Sequence, residues 1–157
     1  MKRHLPMLLM TCLGIASLSA VENADVVVYG GTPAGISAAI AAARQGHDVA
    51  LIDINAHVGG MVSGGLVDTD IGDRDTVGGV ADDFLKRIAN HYRGKYGADS
   101  RQFETCREGL KYEPHVAEET FEAMLKEQPS IKIWRKLRYK SLELSDGKIQ
   151  SIIVEGS

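Results

Sequence analysis

The chain has 157 residues, 44% of them hydrophobic and 25% charged, with a formal net charge of −3. That length allows one domain with a modest core, and the composition is ordinary for a soluble globular protein. With no basic stripe, low-complexity tract or fixed-period repeat, nucleic-acid-binding, disordered and solenoid classes are set aside.

The first twenty residues, MKRHLPMLLMTCLGIASLSA, have the layout of an export signal. Lys2 and Arg3 form a basic start, Leu5 to Leu18 a short apolar run, and small residues follow from Ser17 to Ala20. The run is shorter than the roughly 20 residues a membrane-spanning helix needs. The expectation is cleavage after Ser19 or Ala20, an exported protein (periplasmic or extracellular) and no stable membrane anchor. Cys12 leaves with the signal, so Cys106 has no cysteine partner within the chain and reads as structural. Removing Lys2 and Arg3 leaves 16 basic against 21 acidic residues, which deepens the acidic balance.

The next stretch, DVVVYGGTPAGISAAIAAARQGHDVALID, runs from Asp25 to Asp53. Asp25 to Tyr29 is β-branched and suits a buried parallel strand. Gly30 and Gly31 break it, and the spacing predicts a helix from Ala34 to Gln45 with Ile36 and Ile40 on one face. Thr32 is placed to cap that helix, Pro33 suits its first turn, and Gly46 ends it. HDVALID is then a second strand, ending at Asp53.

A strand, a glycine turn, a helix and a strand in about thirty residues form a dinucleotide-binding unit. The helix N-terminus offers unpaired N–H groups and partial positive charge to a pyrophosphate. Gly30 allows the tight turn, and Gly35 allows close packing of helix on strand. Thr32 stands where the G-x-G-x-x-G pattern has its middle glycine, and its hydroxyl offers a hydrogen bond in exchange for that space. Asp53 is placed for the adenosine ribose hydroxyls, and its charge disfavours the 2′-phosphate of NADP. NAD and FAD both remain open at this point.

INAHVGGMVSGGLVDTDIG follows, with two glycine pairs, Gly59-Gly60 and Gly64-Gly65. Such a loop can lay bare backbone N–H groups along a long cofactor. Asp68, Asp70, Asp73 and Asp75 do not have the spacing of a calcium loop and read as a polar loop, with no metal expected. A helix is predicted from Val80 to Tyr92, with Phe84, Leu85 and Ile88 inward and Gly94 and Gly97 ending it. Another is predicted from Pro114 to Glu127, with Val116, Phe121, Met124 and Leu125 as its core face. IKIW is a third parallel strand, and LRYKSLELSDGKIQSIIVEG a hairpin turning at Asp146-Gly147. The basic run WRKLRYK lies in strand and reads as a solvated face. His57, His91 and His115 are acid–base candidates by residue type, with structural or surface roles the plainer reading. No catalytic residue is assigned.

With GGTPAG, GGMVSGGLVDTD and EPHVAE in this order, the chain from Asp25 onward resembles the bacterial FAD-dependent oxidoreductases. Their fold is the glutathione-reductase type, related to fumarate-reductase-like enzymes. The resemblance implies an α/β class: a Rossmann-like FAD-binding domain over residues 24–157, with a parallel sheet and a small antiparallel β-meander. It implies that Gly30, Gly31, Thr32, Ala34 and Gly35 line the pyrophosphate and that Asp53 binds the adenosine ribose. Gly59, Gly60 and Met61 would run beside the pyrophosphate and ribityl chain, and Ser63, Gly64 and Gly65 would approach the flavin ring. It also implies a further parallel strand and a substrate domain beyond Ser157. The chain therefore reads as the N-terminal part of a longer enzyme, incomplete at its C-terminus, the remainder lying in missing sequence or a partner chain. A small-molecule substrate of unknown identity is expected. The competing readings are an NAD-binding dehydrogenase domain and a truncated, non-catalytic dinucleotide-binding module.

Overall fold

Short runs of β-branched and aliphatic residues, separated by helices rich in alanine or glutamate, give a parallel sheet with crossover helices. The computed structural model describes residues 22–157; the expected signal segment, residues 1–20, lies outside them. Strands β1 (Val26–Tyr29), β2 (Val49–Ile52) and β3 (Ile131–Trp134) pair in parallel in the order β1-β2-β3. Val26 stands opposite Val49, and Val49 opposite Ile131. Helix α1 (Pro33–Arg44) joins the first two strands. Between β2 and β3 come α2 (Gly60–Ser63), α3 (Gly79–Tyr96), α4 (Arg101–Thr105) and α5 (Pro114–Lys126).

The core lies between the sheet and helices α1, α3 and α5. Ile36 and Ile40 of α1, Phe84, Leu85 and Ile88 of α3, and Val116, Phe121, Met124 and Leu125 of α5 are all buried, as their spacing required. Phe84 stacks on Phe121 at 4.2 Å between centroids, which fixes α3 against α5. Arg87 of α3 reinforces that contact from outside, with Nη1 and Nη2 at 2.5 and 2.8 Å from the two carboxylate oxygens of Glu127.

Alternation along β1 divides its faces. Val26 and Val28 pack on the core, while Val27 and Tyr29 point away and stay 40% and 49% exposed. The strand is thus half-buried rather than buried, because it is an edge of the three-stranded sheet among the described residues. Its outer face meets the antiparallel pair β4 (Leu137–Ser145) and β5 (Lys148–Gly156) through Tyr29 and Tyr139, 6.4 Å apart edge-on.

The structure departs from the sequence reading in three helices. Helix α3 continues through Gly94 and stops at Gly97, whose φ is +94°. An interior glycine costs about 1 kcal/mol, and stacking of Tyr92 on Tyr96 across the same turn supports the extension. Helix α4, capped by Ser100 accepting from the Phe103 N–H at 3.2 Å, is too short to show a period in sequence. Gly60 to Ser63, read as open loop, forms the single turn α2.

Candidate functional site

The first glycine turn is shaped by its collisions. A Cβ on Gly35 would run into the Gly30 carbonyl, so only glycine lets α1 start so close to β1. Gly30 itself has φ of +112°, and its N–H donates to the Ile52 carbonyl at 2.7 Å. Thr32 is extended and caps α1, its hydroxyl accepting from the Gly35 N–H at 3.2 Å. The Thr32 carbonyl accepts from Ile36 at 2.8 Å. The N–H groups of Thr32 and Ala34 have no protein partner among the described residues. An exposed helix start with free N–H groups is the donor set a pyrophosphate requires.

Asp53 is buried at the end of β2, only 4% exposed. Its Oδ2 accepts from the Gly31 N–H, and its Oδ1 accepts from the Asn55 N–H at 2.6 Å. A Cβ on Gly31 would strike that same carboxylate. The backbone of Asp53 is held as well, with its N–H on the Trp134 carbonyl at 2.8 Å and its carbonyl accepting from Leu137 at 3.0 Å. Asp53 therefore locks the glycine turn to the sheet. Each carboxylate oxygen can accept a further bond, so a ribose hydroxyl can still be received.

The second glycine run folds onto the first. The Gly59 N–H donates to the Gly31 carbonyl at 2.6 Å. The position of a Cβ on Gly60 lies 3.6 Å from the Thr32 Cα and Pro33 Cδ. Gly59 has φ of +102°, and its missing side chain makes room for Ser63 Oγ and the Phe121 ring. The Ser63 hydroxyl donates to the Val58 carbonyl at 2.6 Å, so it faces into its own turn. A Cβ on Gly64 would press on the Gly60 carbonyl at 2.8 Å. Gly65, with φ of +122°, has open space on its side-chain face, and Met61 beside it is 73% exposed.

The remaining candidates disperse. His57 is exposed and its Nδ1 lies 2.7 Å from Glu118 Oε1. His91 packs edge-on against Tyr92, and its Nε2 is buried without a partner; His115 is exposed. Asp68 faces Arg107 and Lys111 at 3.6 and 3.5 Å, and Asp73 caps the turn that contains Asp75. Cys106 is buried, its Sγ accepts from the Gly109 N–H at 3.3 Å, and burial pushes its thiol pKa up. A thiol so placed is a packing group rather than a nucleophile.

Sequence reasoning missed the groups that assemble the site. Val58 is fully buried beneath Gly31, Phe121 lies under Gly59, and the Asn55 N–H holds the second oxygen of Asp53. Val58 and Phe121 have only their apolar character to mark them, and Asn55 acts through its backbone, so composition carried no signal for these roles.

Residues 25–157 match the family model described as FAD dependent oxidoreductase. The chain belongs to this family. Its cofactor is FAD. Among solved structures the FAD dependent oxidoreductase chain is similar to AlpK, at 15% identity and a TM-score of 0.55, over 88% of this chain and 28% of that one. It is also similar to p-nitrophenol 4-monooxygenase PnpA from Pseudomonas putida DLL-E4, at 14% identity and a TM-score of 0.53, over 83% and 36%. A third is 3-ketosteroid-delta4-(5alpha)-dehydrogenase from Rhodococcus jostii RHA1, at 15% identity and a TM-score of 0.50, over 85% and 42%. These likenesses show the fold, and the chain spans less than half the length of each. No curated protein sequence matches it.

Proposed function

We propose that the two glycine turns form one continuous FAD cradle and that the protein uses it for oxidoreductase chemistry on a small organic substrate. The observation that carries this reading is the bond from the Gly59 N–H to the Gly31 carbonyl at 2.6 Å. It joins the two turns into one surface, and a nicotinamide-binding unit has no need of the second. Gly30, Gly31, Thr32, Ala34 and Gly35 hold the pyrophosphate at the start of α1, where the helix dipole favours it by about 0.3–1 kcal/mol. Asp53 receives the adenosine ribose with the acceptor sites its backbone partners leave. Gly59, Gly60 and Met61 continue along the ribityl chain. Ser63 supports this turn through Val58, and the open face of Gly65, next to Gly64, is where the flavin ring approaches. When bound, FAD supplies hydride acceptance from a substrate carbon. Residues 1–20 direct export, and FAD is acquired after transport; amino-terminal sequencing of protein recovered outside the cytoplasm tests that part.

Flavin retention tests the cradle. The full chain is incubated with FAD, freed of unbound ligand by gel filtration, and its visible spectrum recorded. A retained flavin band that Asp53→Ala abolishes is expected. A folded protein that retains no flavin, or that retains NAD in its place, overturns the reading. Bleaching of the retained band by a substrate separates an enzyme from a binding module.

A further inference from the structure

A cavity away from the glycine turns shares no lining residue with them. It is an open-mouthed cavity of about 360 Å3 beside α3, α4 and the bridge that pairs Asp68 with Lys111. That volume lies within the roughly 300–1,000 Å3 typical of small-molecule sites. Val67, Tyr92, Cys106 and Tyr112 give it apolar walls, and Arg101 and Lys111 add two cationic groups to the lining. Burial holds both the Cys106 thiol and the Tyr112 phenol in their neutral forms by raising their pKa.

The charges in the lining are unequally committed. Glu113 accepts from the Tyr92 hydroxyl, whose oxygen in turn accepts from the Glu113 N–H at 3.0 Å. One of its carboxylate oxygens is thereby committed to Tyr92, although the residue is exposed, and the lining holds two cationic groups against this one acid. Arg101 has no ion-pair partner among the described residues. Lys111 has only a long, exposed pairing, 3.5 Å from Asp68 Oδ2, which a ligand can displace at little cost.

The backbone that presents this wall is strained. Arg107, Glu108 and Gly109 follow one another at φ of +48°, +57° and +91°. Two of the three carry side chains, and such strain survives only where the surroundings over-determine it, commonly at ligand sites. The surroundings here are Cys106 Sγ on the Gly109 N–H and the Leu85 carbonyl, which leaves no room for a Cβ on Gly109. The turn delivers Lys111 and Tyr112 to the cavity, where the Tyr112 N–H bonds the Val67 carbonyl at 3.1 Å. Val67 is two residues beyond Gly65, a span of about 7 Å in extended chain.

We propose that this cavity binds a small organic anion with an apolar body, its anionic group held by Arg101 and Lys111. As the substrate subsite of the flavin reaction it rests on the FAD reading above; as a binding site it does not. Arg101 offers a fork of donors to a carboxylate, Lys111 adds a point charge, and the tyrosines cover the body.

The test is an amide-resolved NMR titration of the full chain, with and without FAD, using three probes of one shape: 3-phenylpropanoate, 3-phenylpropanol and 3-phenylpropylamine. The anion is expected to give saturable shifts at Val67, Cys106 and Tyr112, and the amine none. Arg101→Met is expected to raise the dissociation constant about tenfold, the loss of one charge-assisted contact. Arg138→Met, on the distant hairpin, leaves it unchanged. Equal binding of the alcohol or amine, an unmoved constant in Arg101→Met, or no saturable shift at these amides overturns the proposal. Anion binding by a chain that retains no FAD supports the cavity while sinking the flavin reading, and flavin retention without anion binding does the reverse.

Discussion

The two glycine turns reach similar openness by different means. In the first, Gly31 and Gly35 are demanded by contact, with Asp53 and with the Gly30 carbonyl, and Gly30 by its φ of +112°. In the second, Gly59 and Gly64 are likewise crowded, by Ser63 and by the Gly60 carbonyl, while Gly65 meets nothing and is demanded by its φ of +122° alone. The first turn is tied to the sheet by one buried carboxylate, that of Asp53. The second is anchored at Gly59 and Ser63 and is open on the side-chain face of Gly65. A closely held turn beside a more open one fits the proposed ligand, whose two ends differ in shape.

Substitutions test this contrast. The largest effect is expected from Gly35→Ala, where the methyl group meets backbone that cannot yield. A loss of about 3 kcal/mol or more is expected in urea unfolding, and a loss under 1 kcal/mol would refute the contact argument. Asp53→Ala comes next, leaving the Gly31 and Asn55 N–H groups without their acceptor at about 1–3 kcal/mol for each one that stays dry. Its destabilisation should appear in the ligand-free chain, and an effect confined to FAD-loaded protein would show that Asp53 serves the ribose alone. Gly65→Ala has space but the wrong angle, so about 1–2 kcal/mol of strain is expected. A cost as large as that of Gly35→Ala would erase the distinction between the turns.

The smallest effect lies outside both turns. Hydrogen bonds from Arg87 hold the Glu127 and Asp83 carboxyls below the usual carboxylate range. Their pairing stabilises the fold above the unfolded pKa values, near 4, and the benefit fades as pH falls through the lower folded values. Arg87→Met should therefore destabilise modestly at pH 7 and converge with the parent in more acidic buffer. Melting curves across pH check the sign; a gap that widens on acidification would contradict it.

Much of the fold was legible because its signals are local. Ile36 and Ile40, or Val116, Phe121, Met124 and Leu125, declare their helices by spacing, and Asp146-Gly147 declares its turn. Gly30 to Gly35 and Asp53 were recognisable as a unit for the same reason. What escaped were features set by distant partners. The persistence of α3 through Gly94 reflects a Tyr92–Tyr96 stack that outweighs glycine's cost. The hydroxyl of Ser63, a residue expected at the flavin approach, also holds its own turn by donating to the Val58 carbonyl, a contact that spacing does not announce.

The order of elements, their inward faces and the presence of two glycine-rich runs can be read from the chain alone, since each is written within a few neighbouring residues. Only the tertiary structure decided that Gly59 would bond Gly31, that Asp53 would lock the turn beneath it, and that a cavity would open beside α4. Those contacts join segments many residues apart, brought together by the pairing of β1 with β2 and by Phe121 of α5 beneath Gly59.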